Sequence, residues 1–157
     1  MKVYDAEIED VRWRIMRREV TVSMIGLGTV GLPMATLFAM NGFKVIGFVV
    51  NQDRVRSVNS GVVRFEYEEE LPRIVRQGML KATNSPGESV SKSDVVIISV
   101  PTPLNTHRDV DLSYMQKATE VTALSLERGH LVVYESTVPV GTVRRMAHDL
   151  EALSNLT

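Results

Sequence analysis

With 157 residues, 44% of them hydrophobic and 24% charged, the chain is long enough to form one domain with its own core. Its formal net charge of -1 gives no electrostatic reason to expect nucleic acid or an anionic membrane as a partner. The absence of cysteine excludes disulfides, thiolate metal ligands and a cysteine nucleophile within these residues.

The N-terminal segment, residues 1–19, predicts a helical extension ahead of the main domain. Between 5 and 18 the acidic residues come first and the arginines last, which is the order that the helix dipole favours. Ile8, Val11 and Ile15 share one face, which fits either a helix that covers an edge of the domain or a contact with another subunit. The segment is too charged for a signal peptide, and no later stretch approaches the ~18 apolar residues of a membrane span. We therefore expect a cytoplasmic protein with no membrane partner.

From residue 20 onward short β-branched runs alternate with helical patterns, and we assign residues 20–157 to one domain. Strands are predicted at 20–25, 44–50, 79–83, 94–100 and 130–134. Helices are predicted at 33–41, 52–59, 67–76, 112–128 and 141–153, and the segment NSPGES at 84–89 is predicted to be a turn. This alternation predicts an α/β fold of the Rossmann type, a doubly wound parallel sheet with helices on both faces.

The first predicted strand runs into a glycine-rich turn with the G-x-G-x-x-G spacing, at Gly26, Gly28 and Gly31. In a dinucleotide-binding turn the first glycine permits the tight turn, the second lets a pyrophosphate approach the backbone, and the third lets the helix pack close to the strand. The N-terminus of the following helix offers N–H groups to the phosphates. The alternative is a structural turn without a ligand, but the position between a strand and a helix favours dinucleotide binding.

The chain resembles the UDP-glucose/GDP-mannose dehydrogenase family in five stretches that follow in the family's order. They are VSMIGLGTVGLPMATLFAMNGFKVIGF, NQDRVRSVNSG, DVVIISVPTPLN, DLSYM and VVYESTVPVGT. The resemblance covers about residues 20–150, and the VPTP and EST-P-GT parts are most similar to the branch that oxidises UDP-N-acetyl-mannosamine.

The resemblance implies an oxidoreductase that uses NAD to convert C6 of a nucleotide sugar to a carboxylate. In the family a central helix and a second domain follow the NAD-binding domain, and the second domain binds the sugar and supplies a catalytic cysteine. We therefore expect this chain to be the cofactor half of such an enzyme and to be inactive alone. A UDP-sugar partner and a homo-oligomer are expected only for the full-length protein.

Matching the motifs residue by residue implies where the cofactor binds. Thr29 and Val30 would lie over the pyrophosphate, although the family usually has tyrosine at the first of these positions. Glu135 would lie beside the nicotinamide as an auxiliary catalytic group that positions a water or takes a proton. It would equally fit a strand-end carboxylate satisfied by backbone N–H groups. The implied cofactor contacts are Gly26, Gly28, Thr29, Val30, Gly31, Asn51, Arg54, Pro101, Thr102, Ser136 and Thr137.

The end of the second strand departs from the dinucleotide-binding pattern. An acidic residue there normally binds the adenosine ribose, and this chain has Val49. Losing a hydrogen bond to a charged acceptor costs about 1.5–3 kcal/mol, or roughly 10- to 150-fold in affinity. Asn51 could supply a weaker acceptor, while Arg54 and Arg56 would not repel a 2′-phosphate. We predict NAD as the cofactor, bound more weakly than usual, with tolerance of NADP as a side hypothesis.

Two other functions remain open at this point. Val49 and Thr29 leave room for a degenerate Rossmann module that binds no cofactor and works as a scaffold or sensor. An enzyme of the β-hydroxyacid dehydrogenase type would share the N-terminal fold but needs a catalytic lysine on a later helix, beyond these residues. The three histidines of the chain are scattered without metal-ligand spacing, so no metal site is predicted.

Overall fold

The computed structural model describes residues 2, 6–63 and 69–156. The strands in these residues are β1 Thr21–Ile25, β2 Lys44–Phe48, β3 Leu80–Thr83, β4 Val95–Ile98 and β5 Leu131–Tyr134. The helices are α1 Ile8–Met16, α2 Gly31–Met40, α3 Gln52–Asn59, α4 Leu71–Arg76, α5 Pro86–Ser91, α6 Ser113–Ala123 and α7 Thr142–Ser154. None of these helices is long and apolar enough to cross a membrane. Residues 67 and 68, where the helix predicted at 67–76 begins, lie outside the described residues.

All five strands pair in parallel, in the order β3-β2-β1-β4-β5. Ile25 at the end of β1 pairs with Phe48 of β2 on one side and with Ile98 of β4 on the other. The carboxyl ends of the central strands therefore lie side by side at one edge of the sheet. The chain changes direction across the sheet at β1 and β4, which is the switch point where ligands bind in this class of fold. The predicted Rossmann-type sheet is confirmed.

The core lies on both faces of the sheet. On one face Met24 of β1 packs in a cluster with Leu32 of α2 and Ile74 of α4. On the other face Ile98 of β4 packs with Val90 of α5 and Ala118 of α6. The predicted placement of helices on both faces is thus confirmed. These two layers pack against the strands whose carboxyl ends form the candidate site.

Helix α1 is attached at the amino edge of the sheet, away from the strand ends just described. Arg14 donates from Nη2 to Oδ1 of Asp94 at 2.7 Å, and Thr21 donates its backbone N–H to Oδ2 of the same carboxylate at 2.9 Å. No residue of α1 is buried, and Ile8 and Ile15 are 77% and 44% exposed. The apolar face of α1 therefore does not bury itself on the domain, and its role as a subunit contact stays a prediction.

The segment predicted as a turn at 84–89 begins a short helix, α5. Ser85 accepts a hydrogen bond at its Oγ from the backbone N–H of Glu88 at 3.3 Å, and Pro86 occupies the first helical position. Serine as an N-cap followed by proline is a helix-start signal. The prediction of a turn was wrong because proline and glycine were interpreted as turn residues only.

The last strand, β5, is an outer strand of the sheet and is only half buried. Leu131 and Val133 are 38% and 37% exposed, although a continuous apolar run such as 131–134 is typical of a strand buried on both faces. Helix α6 is also shorter than predicted and ends at Ala123, since residues 124–128 form no helix. The exposure of an outer strand and the last turn of a helix both depend on which neighbours pack there, and the sequence pattern does not contain that information.

Candidate functional site

A cleft of about 300 Å³ opens at the carboxyl edge of the sheet, between the turn after β1 and the ends of β4 and β5. Most of the predicted cofactor contacts meet there, together with Glu135. Ser99 and Val100, which the sequence reasoning did not single out, complete the wall. The lining residues are Gly28, Thr29, Val30, Ser99, Val100, Pro101, Thr102, Glu135, Ser136 and Thr137.

Two glycines of the turn are required by the protein itself. Gly26 has a φ of 105°, and a Cβ added there would overlap the carbonyl oxygen of Ser99. A Cβ added at Gly31 would overlap the carbonyl oxygen of Gly26. These positions allow the turn to be tight and α2 to lie close to the sheet, so their glycines would be needed even in a protein without a ligand.

Gly28 differs from its two neighbours, because nothing in the described structure requires a glycine there. Its φ lies outside the left-handed region, and a Cβ added at this position would meet no heavy atom within 4 Å. The open space faces the cleft, whose wall Gly28 forms. A side chain here would occupy the place where a ligand approaches the backbone. The residues present therefore fit a group that lies directly on this turn.

The N-terminus of α2 begins at the same place. Among the described residues, the N–H groups of Val30 and Gly31 have no hydrogen-bond partner, whereas that of Leu32 bonds to the carbonyl oxygen of Gly28. The N-cap residue of α2, Val30, makes no side-chain capping hydrogen bond, and the first turn contains no acidic residue. By contrast, Asn51 caps α3 through its side-chain oxygen. An uncapped helix N-terminus carries a partial positive charge and offers donors to an anion. Together with the open backbone at Gly28, this arrangement suits a diphosphate.

Glu135 follows β5 and is held by a residue that follows β4. Ser99 donates from Oγ to Oε2 of Glu135 at 2.8 Å. Ser99 is only 7% exposed, whereas Glu135 lies at the surface of the cleft. The partner of this carboxylate is thus a side-chain hydroxyl rather than the backbone N–H groups considered from the sequence. One carboxylate oxygen is fixed by this bond, which orients the group toward the cleft.

Two hydroxyls lock the loops after β4 and β5 together. Ser136 donates from Oγ to the carbonyl oxygen of Val100 at 2.7 Å and accepts from the N–H of Val100 at 3.0 Å. Thr102 donates from Oγ1 to the carbonyl oxygen of Thr137 at 2.8 Å. Both hydroxyl protons are used within the protein. Toward a ligand, Thr102 can therefore act as an acceptor of hydrogen bonds.

Asn51 and Arg54 lie beyond the residues that line the cleft, on the side of β2. Oδ1 of Asn51 accepts from the N–H groups of Asp53 and Arg54 at 2.8 and 3.1 Å, so this oxygen serves α3. Arg54 donates from Nε and Nη2 to the carbonyl oxygen of Leu27 at 3.1 and 2.9 Å. The guanidinium is thus fixed against the glycine turn. The contact that Asn51 can offer to a ribose is its amide N–H rather than its oxygen.

Comparison with known proteins identifies relatives of this arrangement. The UDP-glucose/GDP-mannose dehydrogenase family, NAD binding domain, matches residues 20–155. UDP-N-acetyl-D-mannosamine dehydrogenase from Pyrococcus horikoshii is 39% identical over 138 residues, covering 86% of this chain and 32% of that protein. NDP-N-acetyl-D-galactosaminuronic acid dehydrogenase from Ralstonia nicotianae is 40% identical over 136 residues, covering 84% and 31%.

The fold agrees with these relatives. The solved structure of UDP-D-ManNAc dehydrogenase from Pyrococcus horikoshii superimposes with a TM-score of 0.81 at 38% identity, covering 87% of this chain and 33% of that one. The chain therefore spans about a third of the length of the curated relatives it matches.

Proposed function

This chain belongs to the UDP-glucose/GDP-mannose dehydrogenase family, and from that premise we propose that its cleft holds NAD for the oxidation of a nucleotide sugar. The proposal is based on the open backbone at Gly28. No heavy atom lies within 4 Å of a Cβ added there, so no contact in the described structure requires a glycine at this position. The matched region is the NAD-binding domain of the family, and the same turn is where that cofactor would place its pyrophosphate.

Each part of the cleft has a role in this proposal. The N–H groups at the start of α2, around Thr29 and Val30, bind the pyrophosphate. Thr102 and Glu135, at the ends of β4 and β5, border the nicotinamide, which accepts a hydride when NAD is bound. Glu135 is an auxiliary group that positions a water or takes a proton beside the reacting carbon. Ser136 and Thr137 support this edge by fixing the loops after the two strands.

The substrate in this proposal is a UDP-sugar, UDP-N-acetyl-mannosamine or a related one. Its support is the group of relatives named above, whose names refer to N-acetylated nucleotide sugars. The 157 residues contain no cysteine, so any cysteine that forms a covalent intermediate lies outside them. We therefore expect this chain by itself to bind the cofactor and to turn over no sugar.

The remaining assignments extend the same proposal. Residues 1–19 form an extension that carries α1, and residues 20–157 form the NAD-binding domain. A cytoplasmic location and a homo-oligomeric full-length enzyme remain predictions. The second candidate function, a scaffold or sensor that binds no cofactor, is favoured by Val49 and Thr29, which depart from the usual pattern.

Calorimetric titration with NAD tests the proposal. The native chain is expected to bind NAD, and Gly28→Ala should weaken binding at least ~10-fold, because the added methyl group occupies the place of the diphosphate. Gly87→Ala is the matched control, because Gly87 lies in α5, on the face of the sheet opposite to α2. A Cβ added at Gly87 would meet only the hydroxyl of Ser125, at 3.3 Å. This variant should bind NAD like the native chain. No heat of binding at millimolar NAD would overturn the proposal and favour the scaffold.

A further inference from the structure

The adenosine end of the proposed NAD site lacks a carboxylate where this type of fold normally places one. The N–H of Gly26 bonds to the carbonyl oxygen of Phe48 at 2.9 Å, so the residue after β2 lies directly beside the glycine turn. That residue is Val49. Its N–H bonds to the carbonyl oxygen of Thr83 at 3.0 Å, and its side chain packs against the core cluster of the α2 face. The backbone at this position thus lies beside the glycine turn, where this type of fold normally has an acidic residue, but the side chain here is apolar.

No neighbouring side chain in the described sequence after β2 replaces the missing carboxylate. Asp53 is the nearest acidic residue along the chain, and its carboxylate pairs with the guanidinium of Arg56. Asn51 uses its amide oxygen to cap α3. A ribose 2′-hydroxyl at this end would therefore find no charged acceptor among these residues, and a phosphate at the same position would meet no unpaired negative charge.

A cation is already fixed at this end. Arg54 bonds through Nε and Nη2 to the carbonyl oxygen of Leu27 in the glycine turn. Within residues 2, 6–63 and 69–156 its other N–H donors have no protein partner. A guanidinium presents several donors in one plane and binds phosphate through two of them. Its position at the junction of the turn and α3 is the place where the phosphate of a 2′-phosphorylated ribose would lie if the adenosine follows β2.

We propose that this end of the cleft accepts a 2′-phosphate, so that the chain binds NADP as well as NAD. A carboxylate after β2 discriminates in two ways, since it accepts from the ribose hydroxyls and repels a phosphate. With Val49 both effects are lost, and Arg54 adds attraction for the phosphate. This inference rests on the proposed function, because it presumes a dinucleotide on the glycine turn.

Binding of NAD and NADP to the native chain and to Val49→Asp tests the inference. The native chain should bind the two dinucleotides with dissociation constants within ~10-fold of each other. Val49→Asp should shift the ratio toward NAD by at least ~30-fold, because a charged acceptor is restored and a phosphate is repelled. Arg54→Gln should weaken NADP more than NAD.

Val50→Asp is the matched control. Val50 is the next residue and is 81% exposed, so the variant adds the same charge to the same loop but into solvent. Its NAD-to-NADP ratio should stay within ~3-fold of the native value, because an exposed charge is screened. Val49→Asn separates the two effects of the carboxylate, since it should strengthen NAD binding without excluding NADP.

Different failures have different meanings in this experiment. The inference is overturned if the native chain binds NAD but binds NADP more than ~100-fold more weakly, or if the two aspartate variants shift the ratio equally. The proposed function fails together with the inference if the native chain binds neither dinucleotide, and binding of NAD by Val49→Asp alone would then assign the loss to the valine.

Discussion

The hydroxyl of Ser99 donates a 2.8 Å hydrogen bond to the carboxylate of Glu135, and this contact joins the ends of β4 and β5 at the wall of the cleft. Ile98 and Tyr134 are paired in the sheet, so the two residues that follow them are brought side by side by the register itself. The carboxylate orientation thus depends on a buried serine, and this dependence can be measured.

Ser99→Ala should lower the free energy of unfolding by about 0.5–1.5 kcal/mol, since it removes one hydrogen bond. It should also weaken NAD binding, because Glu135 is no longer fixed at the wall of the cleft, where we propose that the nicotinamide lies. Glu135→Gln retains an oxygen that can accept from Ser99 and should therefore be more stable than Ser99→Ala. Urea denaturation and calorimetry measure the two quantities. If Ser99→Ala binds NAD as tightly as the native chain, the bond has a structural role only.

Alanine at the first glycine of the turn should lower the stability of the protein, whereas alanine at the second should lower its affinity for NAD. Gly26→Ala should lower the free energy of unfolding by at least about 2 kcal/mol, because a left-handed backbone and an overlap with the carbonyl oxygen of Ser99 both oppose it. Gly28→Ala should melt like the native chain while losing NAD affinity, because its Cβ meets no protein atom. Thermal melts without and with NAD distinguish the two. Equal destabilisation by both substitutions would contradict the separate roles assigned to them.

Asp94 should be important for stability and irrelevant to cofactor binding. Asp94→Ala leaves Arg14 and the N–H of Thr21 without their carboxylate, which should cost about 1–3 kcal/mol. The site lies at the opposite edge of the sheet, so the affinity for NAD should not change. Glu9→Gln is the control, since its 3.0 Å pair with Arg12 is exposed and is worth less than ~1 kcal/mol. A change in NAD affinity in Asp94→Ala would show that the two edges are coupled.

The stability of the protein should fall in acid partly through Glu88. Hydrogen bonds from Lys81 and then from Thr83 hold the pKa of the Glu88 carboxyl below its ordinary value of 4.5. Because the pKa of Glu88 is lower in the folded state, the ionised carboxylate stabilises the fold fully at pH values above its ordinary pKa of 4.5. This stabilisation is lost as the pH falls from there through the folded-state pKa. Glu88→Gln should therefore be less stable than the native chain near neutral pH, and the difference should shrink in acid. Thermal melts at several pH values measure it, and a constant difference would contradict the expectation.

The sequence predicts the sheet and the location of the site for a physical reason. Parallel strands put their carboxyl ends at one edge, so residues that follow predicted strands are expected to share one cleft. Gly28, and Thr102 and Ser136, which the family resemblance implies, do line one cleft. Ser99 could not be found in this way. It continues a strand-like run, and its contact with Glu135 follows from which strands are neighbours and in which register.

The polar residues after β2 show a second limit of sequence reasoning. Asn51 was expected to offer an acceptor to the ribose, but its position before a helix is also the N-cap pattern, and in the structure its oxygen serves α3. The prediction for Arg54 concerned its charge alone. Its two bonds to Leu27 depend on the distance between α3 and the glycine turn, which the sequence does not contain.

The half-covered outer strand has a consequence for the behaviour of the protein in solution. β5 leaves one row of peptide groups along the border of the sheet without a neighbouring strand in the described structure, and the side chains of Leu131 and Val133 beside it are partly bare. Such a border is a template on which a further extended segment can dock. At high concentration the protein should therefore self-associate through this border, and a lysine in place of Leu131 or Val133 should prevent the association.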